Sequence, residues 1–353
     1  MTVLRFRKTA LCVGLVAMLG TAGVAAQTGQ ERAEAAGRGV VRTPAPALVV
    51  RTIDGESLDL NALYGKQAVY LKFWATWCGP CRAQMPHFKQ VYEGAGAGLA
   101  VIGVDTGFND SLPDVRKAID EFDLKMPTVI DDGRLAAAFN LRVTPQHVVI
   151  GRDGLIVYVG HRADEKLDAA LRAAQAVAGN AGGRGAVVPG KIEHYRMGDT
   201  LPDFSATTLD GRPVRLRDAT ERRPTVLVFM SPWCETYYAA PNPASSIPGR
   251  PALATSCREV REQVTSLAQR GTGVRWLGVA SGLWSTPEEL REYEAKYAQG
   301  IPLTTDESGE WFRAFDVMRV PTIVVADALG KIVRRAEGFD GGLESEITRL
   351  GAR

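Results

Sequence analysis

The protein has 353 residues, of which 45% are hydrophobic and 23% charged, and its formal net charge at pH 7 is +2. A chain of this length and composition is long enough for two ordinary globular domains. It contains no basic cluster and no alternation of basic and aromatic residues, so we expect no nucleic acid among its partners.

The first 26 residues have the pattern of an export signal. Three basic side chains among the first eight residues precede an apolar stretch at 9–19, and small residues then lead to Ala26. The apolar stretch is shorter than the ~20 residues that a membrane span needs. We therefore predict a cleaved signal peptide at 1–26 and a mature protein in the periplasm or another exported location, where disulfides persist.

The remaining chain divides into two segments of similar size. Residues 27–46 lack periodicity and predict a flexible lead-in, and the alanine- and glycine-rich residues 173–195 predict a linker. In both flanking segments, 47–172 and 196–353, an apolar strand leads to a cysteine, and later helices and strands end in a hairpin. This order predicts an α/β fold occurring twice, each copy a central mixed β-sheet flanked by helices. We interpret the two copies as a tandem duplication.

The clearest chemical motif is Cys78-Gly79-Pro80-Cys81, which follows the apolar run at 68–75 and precedes apolar residues at helical spacing. A cysteine at a helix N-terminus forms its thiolate at lower pH, because unpaired amide groups and the helix dipole favour an anion there. Pro80 suits the first helical turn. A zinc site would need a second cysteine or histidine pair, which His87 and His147 do not supply. The motif therefore predicts a redox-active pair.

The segment Phe73-Trp74-Ala75-Thr76-Trp77-Cys78-Gly79-Pro80-Cys81-Arg82 resembles the signature of the TlpA-like thiol–disulfide oxidoreductases, exported members of the thioredoxin superfamily. The resemblance covers roughly residues 47–170. It implies that Cys78 is the exposed attacking thiol and that Cys81 is the buried resolving thiol. It also implies a cis proline at Pro145 and a substrate groove formed by Trp77, Gly79, Pro80, Thr144 and Pro145.

The same resemblance implies protein thiols and disulfides as substrates, a membrane-bound electron donor or acceptor as partner, and no cofactor. One position departs from the related thioredoxins, which carry an aspartate six residues before the first cysteine. Lys72 stands there. It is either a lysine that extends to the surface from a strand face, or a cation close enough to the pair to lower the thiolate pKa.

The second segment contains Cys234 after its strand, but no cysteine three residues later. The spacing from Cys257 to Pro321 is 64 residues, the same as from Cys81 to Pro145. These spacings predict that Cys257 is the counterpart of Cys81, separated from Cys234 by an insertion at 235–256. A disulfide between them can act as a slow redox couple or as a structural cross-link, and the long spacing favours the cross-link. Val320 and Pro321 would form the groove of this domain.

We therefore predict an exported thiol–disulfide oxidoreductase that acts through Cys78 and Cys81, with a second domain that relays electrons, binds partners or stabilises the fold. One alternative is a copper metallochaperone using Cys78, Cys81 and His147, because soft thiolates suit Cu(I). The Gly-Pro spacer and the absence of a methionine-rich stretch oppose it. Another alternative is a binding module that uses only the scaffold. We expect no resident metal.

Overall fold

The computed structural model describes residues 28–179, 186–187, 193–217, 222–235, 250–271, 273–298 and 300–351. The predicted signal peptide lies outside these residues, as does most of the predicted insertion.

The first domain is built on a five-stranded sheet, whose strands from edge to edge are Thr128–Ile130, Leu99–Asp105, Ala68–Trp74, Gln146–Ile150 and Ile156–Gly160. Its strands, and the short strands that precede them, are β1 (Pro46–Ala47), β2 (Val49–Arg51), β3 (Ser57–Asp59), β4 (Ala68–Trp74), β5 (Leu99–Asp105), β6 (Thr128–Ile130), β7 (Gln146–Ile150) and β8 (Ile156–Gly160). Every residue of β4 is buried, because helices cover both faces of this central strand and apolar side chains fill them. It pairs in parallel with β5 and antiparallel with β7, so the sheet is mixed.

The second domain repeats this architecture. Its strands, with the short β9 of the connecting segment, are β9 (Ala186–Val187), β10 (Ser205–Thr207), β11 (Pro213–Arg215), β12 (Thr225–Met230), β13 (Arg275–Ser281), β14 (Leu303–Asp306), β15 (Thr322–Ala326) and β16 (Ile332–Glu337). The sheet order is β14-β13-β12-β15-β16, with β12 in the central place of β4. The prediction of two mixed, thioredoxin-like sheets is confirmed.

The helices lie on both sides of these sheets. They are α1 (Gly29–Arg38), α2 (Gly79–Ala83), α3 (Met85–Glu93), α4 (Leu112–Phe122), α5 (Arg134–Ala138), α6 (Glu165–Ala176), α7 (Arg250–Gln269), α8 (Pro287–Tyr297), α9 (Glu310–Ala314) and α10 (Leu343–Gly351). Two of them begin with the same device. Ser111 caps α4 and Thr286 caps α8, each in a capping box with a proline in the first turn.

Three boundaries differ from the sequence predictions. Half of the predicted lead-in is helical, because α1 begins at a capping box on Thr28 and buries Ala33 and Ala36. These small side chains give little apolar periodicity, yet they allow close packing on β8, where Gly37 faces Val159. The linker is shorter than predicted, since α6 extends to Ala176 and β9 pairs in parallel with β1. The last part of the insertion belongs to α7, which begins at Arg250.

Candidate active site

The first cysteine pair lies where β4 ends and α2 begins. Cys78 is the N-cap of α2, and its sulfur accepts the backbone N–H of Cys81 at 3.2 Å. The two cysteines are joined by a disulfide, with their Cα atoms 5.2 Å apart. Because the N-terminal amides of a helix have no partner inside it, they favour an anion at Cys78 once the bond is reduced. The local chain therefore places the first cysteine where a thiolate is stabilised.

The structure differs from the resemblance in one respect, the exposure of the attacking sulfur. Cys78 is only 2% exposed and the neighbouring Trp77 only 5%. Trp77 is covered by the second domain, whose Trp233 stacks on the Trp77 ring with centroids 5.1 Å apart. The expectation of an exposed Cys78 is wrong for this arrangement of the two domains.

The proline of each predicted groove follows a cis peptide bond, at Thr144–Pro145 and at Val320–Pro321. Pro145 precedes β7, and its carbonyl accepts a hydrogen bond from Nδ1 of His161 at 2.7 Å. In each domain this proline-containing segment leads into the strand antiparallel to the central strand. The fold therefore brings it to the end of the sheet where the cysteine follows the central strand.

Lys72 lies in the middle of β4 and is completely buried. The interpretation in which its side chain extends to the surface is therefore wrong. Its Nζ donates a hydrogen bond to the carbonyl oxygen of Cys81 at 3.4 Å and lies 5.2 Å from the centroid of the Phe88 ring. Burial lowers the pKa of this lysine from 10.5 to about 7, because the protein interior disfavours the charged form.

His147 pairs with Lys72 across the sheet and is also completely buried. Its Nδ1 bonds to the hydroxyl of Tyr70 and its Nε2 to the amide oxygen of Gln84, both at 2.8 Å. Burial, together with the nearby Lys72, holds the pKa of His147 well below its usual range. Both ring nitrogens are thus occupied, and within the described ranges no group of three or more metal-binding side chains is assembled. The hydrogen bonds at both ring nitrogens of His147 oppose the copper alternative, in which one of these nitrogens would be a ligand.

The second pair, Cys234 and Cys257, is also joined by a disulfide, with Cα atoms 6.1 Å apart. Cys234 is 3% exposed and Cys257 7%. Cys257 lies well inside α7, not at its beginning, so the bond connects the end of the central strand to the middle of a long helix. Cys234 Sγ lies 4.0 Å from the carbonyl oxygen of Val320. Cys234 therefore adjoins the groove proline segment of its own domain.

Four aromatic rings from both domains meet between the two cysteine pairs. The Trp284 ring packs edge-on against Trp77 and Trp233, with centroid distances of 4.9 and 5.0 Å. Phe108 contacts Trp233 and Trp284 at 6.1 and 5.7 Å. Since Trp77 and Trp233 each directly precede a cysteine, the cysteine-bearing faces of the two domains are turned toward each other.

Two loops carry further contacts across this face. We call residues 106–110, which follow β5, the Asn109 loop, and residues 282–285, which follow β13, the Trp284 loop. The backbone N–H of Asn109 donates to the carbonyl of Met318 at 2.8 Å. The N–H of Trp284 donates to the carbonyl of Arg142 at 2.9 Å, and its indole Nε1 donates to the Thr144 hydroxyl at 3.0 Å. Both loops thus contact the segment before a groove proline.

The sequence reasoning missed both loops. A signal was present, because Asn109 and Trp284 each stand two residues before the capping residue of the following helix, Ser111 or Thr286. It also missed Asp110, whose carboxylate accepts the backbone N–H of Thr76 at 2.9 Å and contacts the Thr76 hydroxyl. Burial raises the pKa of Asp110 to about 6. This carboxyl anchors the Asn109 loop to the segment that leads into Cys78.

No helix in the described part of the chain is both long enough and apolar enough to cross a membrane.

Comparison with known proteins covers both domains. Residues 41–159 match the AhpC/TSA family and residues 196–349 match the Redoxin family. Thiol-disulfide oxidoreductase ResA of Bacillus cereus is 31% identical over 132 residues, which are 36% of this chain and 75% of ResA. Thioredoxin-like protein YneN of Bacillus subtilis is 33% identical over 130 residues, 36% of this chain and 76% of YneN.

Among solved structures, a thiol:disulfide interchange protein of the thioredoxin family from Chlorobium tepidum TLS is similar to this chain. The sequence identity is 29% and the TM-score 0.35, and the match covers 38% of this chain and 97% of that protein. ResA and YneN each match 36% of this chain, which is about the length of one of the two domains.

Proposed function

Since this chain belongs to the TlpA-like thiol–disulfide oxidoreductases of the thioredoxin superfamily, we propose that it exchanges disulfides with exported proteins through Cys78 and Cys81. The observation that carries the proposal is the N-cap position of Cys78, whose sulfur accepts the N–H of Cys81 at 3.2 Å. The same donor stabilises the Cys78 thiolate, which is the form that attacks a disulfide.

The reaction follows from the two sulfurs. In the reduced enzyme the Cys78 thiolate attacks one sulfur of a substrate disulfide, and the other substrate sulfur leaves as a thiolate. Cys81, after losing its proton, then attacks Cys78 Sγ, forms the Cys78–Cys81 bond and releases the second substrate thiolate. Two electrons pass to the substrate, and run in reverse the same steps oxidise a dithiol. The groove at Thr144 and Pro145 would hold the substrate chain beside Cys78.

Lys72 has the role of tuning the pair. Its Nζ bonds to the Cys81 carbonyl in a fully buried site, where a positive charge interacts strongly with a nearby thiolate. Lys72→Asn should raise the pKa of the Cys78 thiolate, followed by its ultraviolet absorbance in reduced protein. An unchanged thiolate pKa would remove Lys72 from this role.

For the second domain we propose a structural cross-link and a partner-binding surface. The Cys234–Cys257 bond joins residues 23 apart in sequence, and a bond of that span contributes on the order of 3–4 kcal/mol in the chain-entropy model. Mass spectrometry after mild reduction tests it. A structural bond survives conditions that open Cys78–Cys81, whereas simultaneous opening would favour a redox relay.

The pattern of residues 1–26 supports export with removal of a signal peptide, which would place the mature protein in the periplasm or a similar compartment. A membrane-bound electron donor or acceptor would then reset the pair. Sequencing the N-terminus of the mature protein tests the cleavage site after Ala26. The family relationship and the same strand order in both sheets also support an origin by tandem duplication.

Trapping of the mixed disulfide tests the reaction directly. The reduced Cys81→Ser variant should form a covalent adduct with a disulfide-containing protein such as insulin, and dithiothreitol should release it. A Cys78→Ser/Cys81→Ser variant is the matched control and should form none. Adduct formation by the control, or none by Cys81→Ser, would contradict the assignment of Cys78 as the attacking sulfur.

A further inference from the structure

The contacts across the domain interface are reciprocal. Asn109 and Trp284 occupy the same place in the two folds, as do Met318 and Arg142, each three residues before its groove proline. The N–H of Asn109 donates to the Met318 carbonyl and the N–H of Trp284 donates to the Arg142 carbonyl. Each domain therefore offers the same backbone group to the same backbone acceptor of the other.

The side chains of Asn109 and Trp284 also form hydrogen bonds with the opposite domain. The side-chain oxygen of Asn109 accepts the backbone N–H of Val320 at 3.1 Å, and the indole Nε1 of Trp284 donates to the hydroxyl of Thr144. Val320 and Thr144 are the residues that directly precede the two groove prolines. The polar groups at the residues expected to bind substrate are thus engaged by the opposite domain.

The backbone of both loop tips is adapted to this contact. Asn109 has φ 57° and Trp284 has φ 61°, both in the left-handed region. Asparagine adopts this region readily, but for a bulky residue such as tryptophan it costs on the order of 1–2 kcal/mol. The contacts of Trp284 with Thr144, Arg142 and Trp77 offset that cost. A strained tip that faces the partner groove indicates a binding role, not a default loop conformation.

We propose that each domain holds the other's loop as a resident occupant of its substrate groove, so that a protein substrate reaches Cys78 only when the two domains separate. The proposal rests on the proposed function, because it takes Thr144 and Pro145 as the substrate groove. The occupant of that groove is the Trp284 loop of the same chain. An occupant attached to the same chain is present at a high effective concentration, so it competes with free substrates.

The edge of the interface carries an ion pair that makes the proposal testable. Arg32 of α1 bonds to Glu289 of α8 at 2.6 Å, with side-chain exposures of 10% and 29%. In an Arg32→Cys/Glu289→Cys variant a short bismaleimide can join the two domains through thioether bonds that dithiothreitol does not break. The native cysteines are protected during the linkage, because both native pairs are oxidised.

Insulin reduction by this variant, before and after linkage, is the deciding measurement. We expect the linked protein to lose at least about nine-tenths of the unlinked rate, since substrates then compete with an occupant that cannot leave. The single variant Arg32→Cys, treated with the same reagent, should keep its rate. Equal rates for linked and unlinked protein would overturn the proposal. If the unlinked protein fails to reduce insulin, the proposed function itself has failed.

Alkylation of Cys78 provides an independent test. In reduced Trp284→Ala, iodoacetamide should modify Cys78 about tenfold faster than in the native protein, the effect expected for a central interface tryptophan. Trp284→Phe keeps an aromatic ring without the indole N–H and should fall between them. Resistance of the Cys234–Cys257 bond to mild reduction confirms that each variant is folded. An unchanged alkylation rate in folded Trp284→Ala would contradict the occupied groove.

Discussion

The two cysteine pairs occupy equivalent ends of two sheets with the same strand order, but the residues beneath them differ. Under the first pair, Lys72 of the central strand pairs with Gly103 on one side and His147 on the other. At the equivalent place under the second pair, Val228 pairs with Gly278 and Ile323. A buried lysine and histidine thus correspond to two aliphatic residues.

This difference fits the two uses proposed for the disulfides, one redox-active and one structural. A buried polar group costs free energy unless it is hydrogen-bonded, and the first domain bonds His147 to Tyr70 and Gln84. The buried lysine and histidine lower the stability of the fold, but a buried cation can stabilise a nearby thiolate. The second domain has an apolar strand and a bond that spans 23 residues, which suits a cross-link.

The two cysteine pairs should differ most in their contribution to catalytic activity. Cys78→Ser should reduce insulin reduction to the rate without enzyme, because the attacking sulfur is absent. Cys234→Ser/Cys257→Ser should retain a rate within about twofold of the native protein if its disulfide takes no part in the chemistry. The turbidity of reduced insulin measures both. Comparable losses in the two variants would make the second pair a redox partner and end the contrast.

The second disulfide should contribute more to stability than the first, which is the reverse of their expected contributions to activity. In the chain-entropy model, a bond with a sequence separation of 23 contributes about 3.5 kcal/mol and one with a separation of 3 about 2 kcal/mol. Cys234→Ala/Cys257→Ala should therefore lower the free energy of unfolding more than Cys78→Ala/Cys81→Ala. Urea denaturation of both variants checks this. A larger loss for the first pair would be inconsistent with a structural role for the second.

The pH dependence of stability should differ between the native protein and Lys72→Val, which copies the second domain. The pKa of Lys72 is about 7 in the folded protein and 10.5 without burial, so between these values the unfolded chain binds the extra proton. Native stability should then rise by up to about 1.4 kcal/mol per pH unit from pH 7 to 10.5, and this contribution is lost as the pH falls. Lys72→Val should lack this rise. Urea denaturation at pH 7.5, 8.5 and 9.5 measures the difference, and parallel curves would disprove the shift.

The two domains should agree in the stability that each loses when an equivalent helix cap is removed. Ser111→Ala and Thr286→Ala each remove a helix cap of the same form, and each should cost about 1 kcal/mol of stability. Thermal unfolding followed by circular dichroism gives both values. If only Thr286→Ala lowered the stability, the two caps would not be equivalent, and the cap at Thr286 would have a further role in positioning the Trp284 loop.

The motif and the spacing predicted much of the architecture and of the first site. The strand before Cys78 and the helix after it follow from local patterns that need no knowledge of distant contacts, whereas the role of Pro145 was implied only by the resemblance to the TlpA-like family. Asn109 and Trp284 were missed because their role depends on how two complete domains face each other. The helix at Gly29–Arg38 was missed because its buried alanines give no strong apolar periodicity. Lys72 was located, but its burial depends on packing that a single strand does not reveal.

The short parallel pair β1–β9 limits how far the domains can part. Val187 is held against Ala47 of the first domain, and Glu193 is the next described residue on the side of the second domain. The six residue steps between them reach about 20 Å when fully extended. This reach limits the separation of Val187 and Glu193 to about twice the ~10 Å spacing of neighbouring layers of protein structure. While β9 stays paired, the domains can part no further than this connection reaches, so we expect an extended client segment to enter more readily than a whole folded surface.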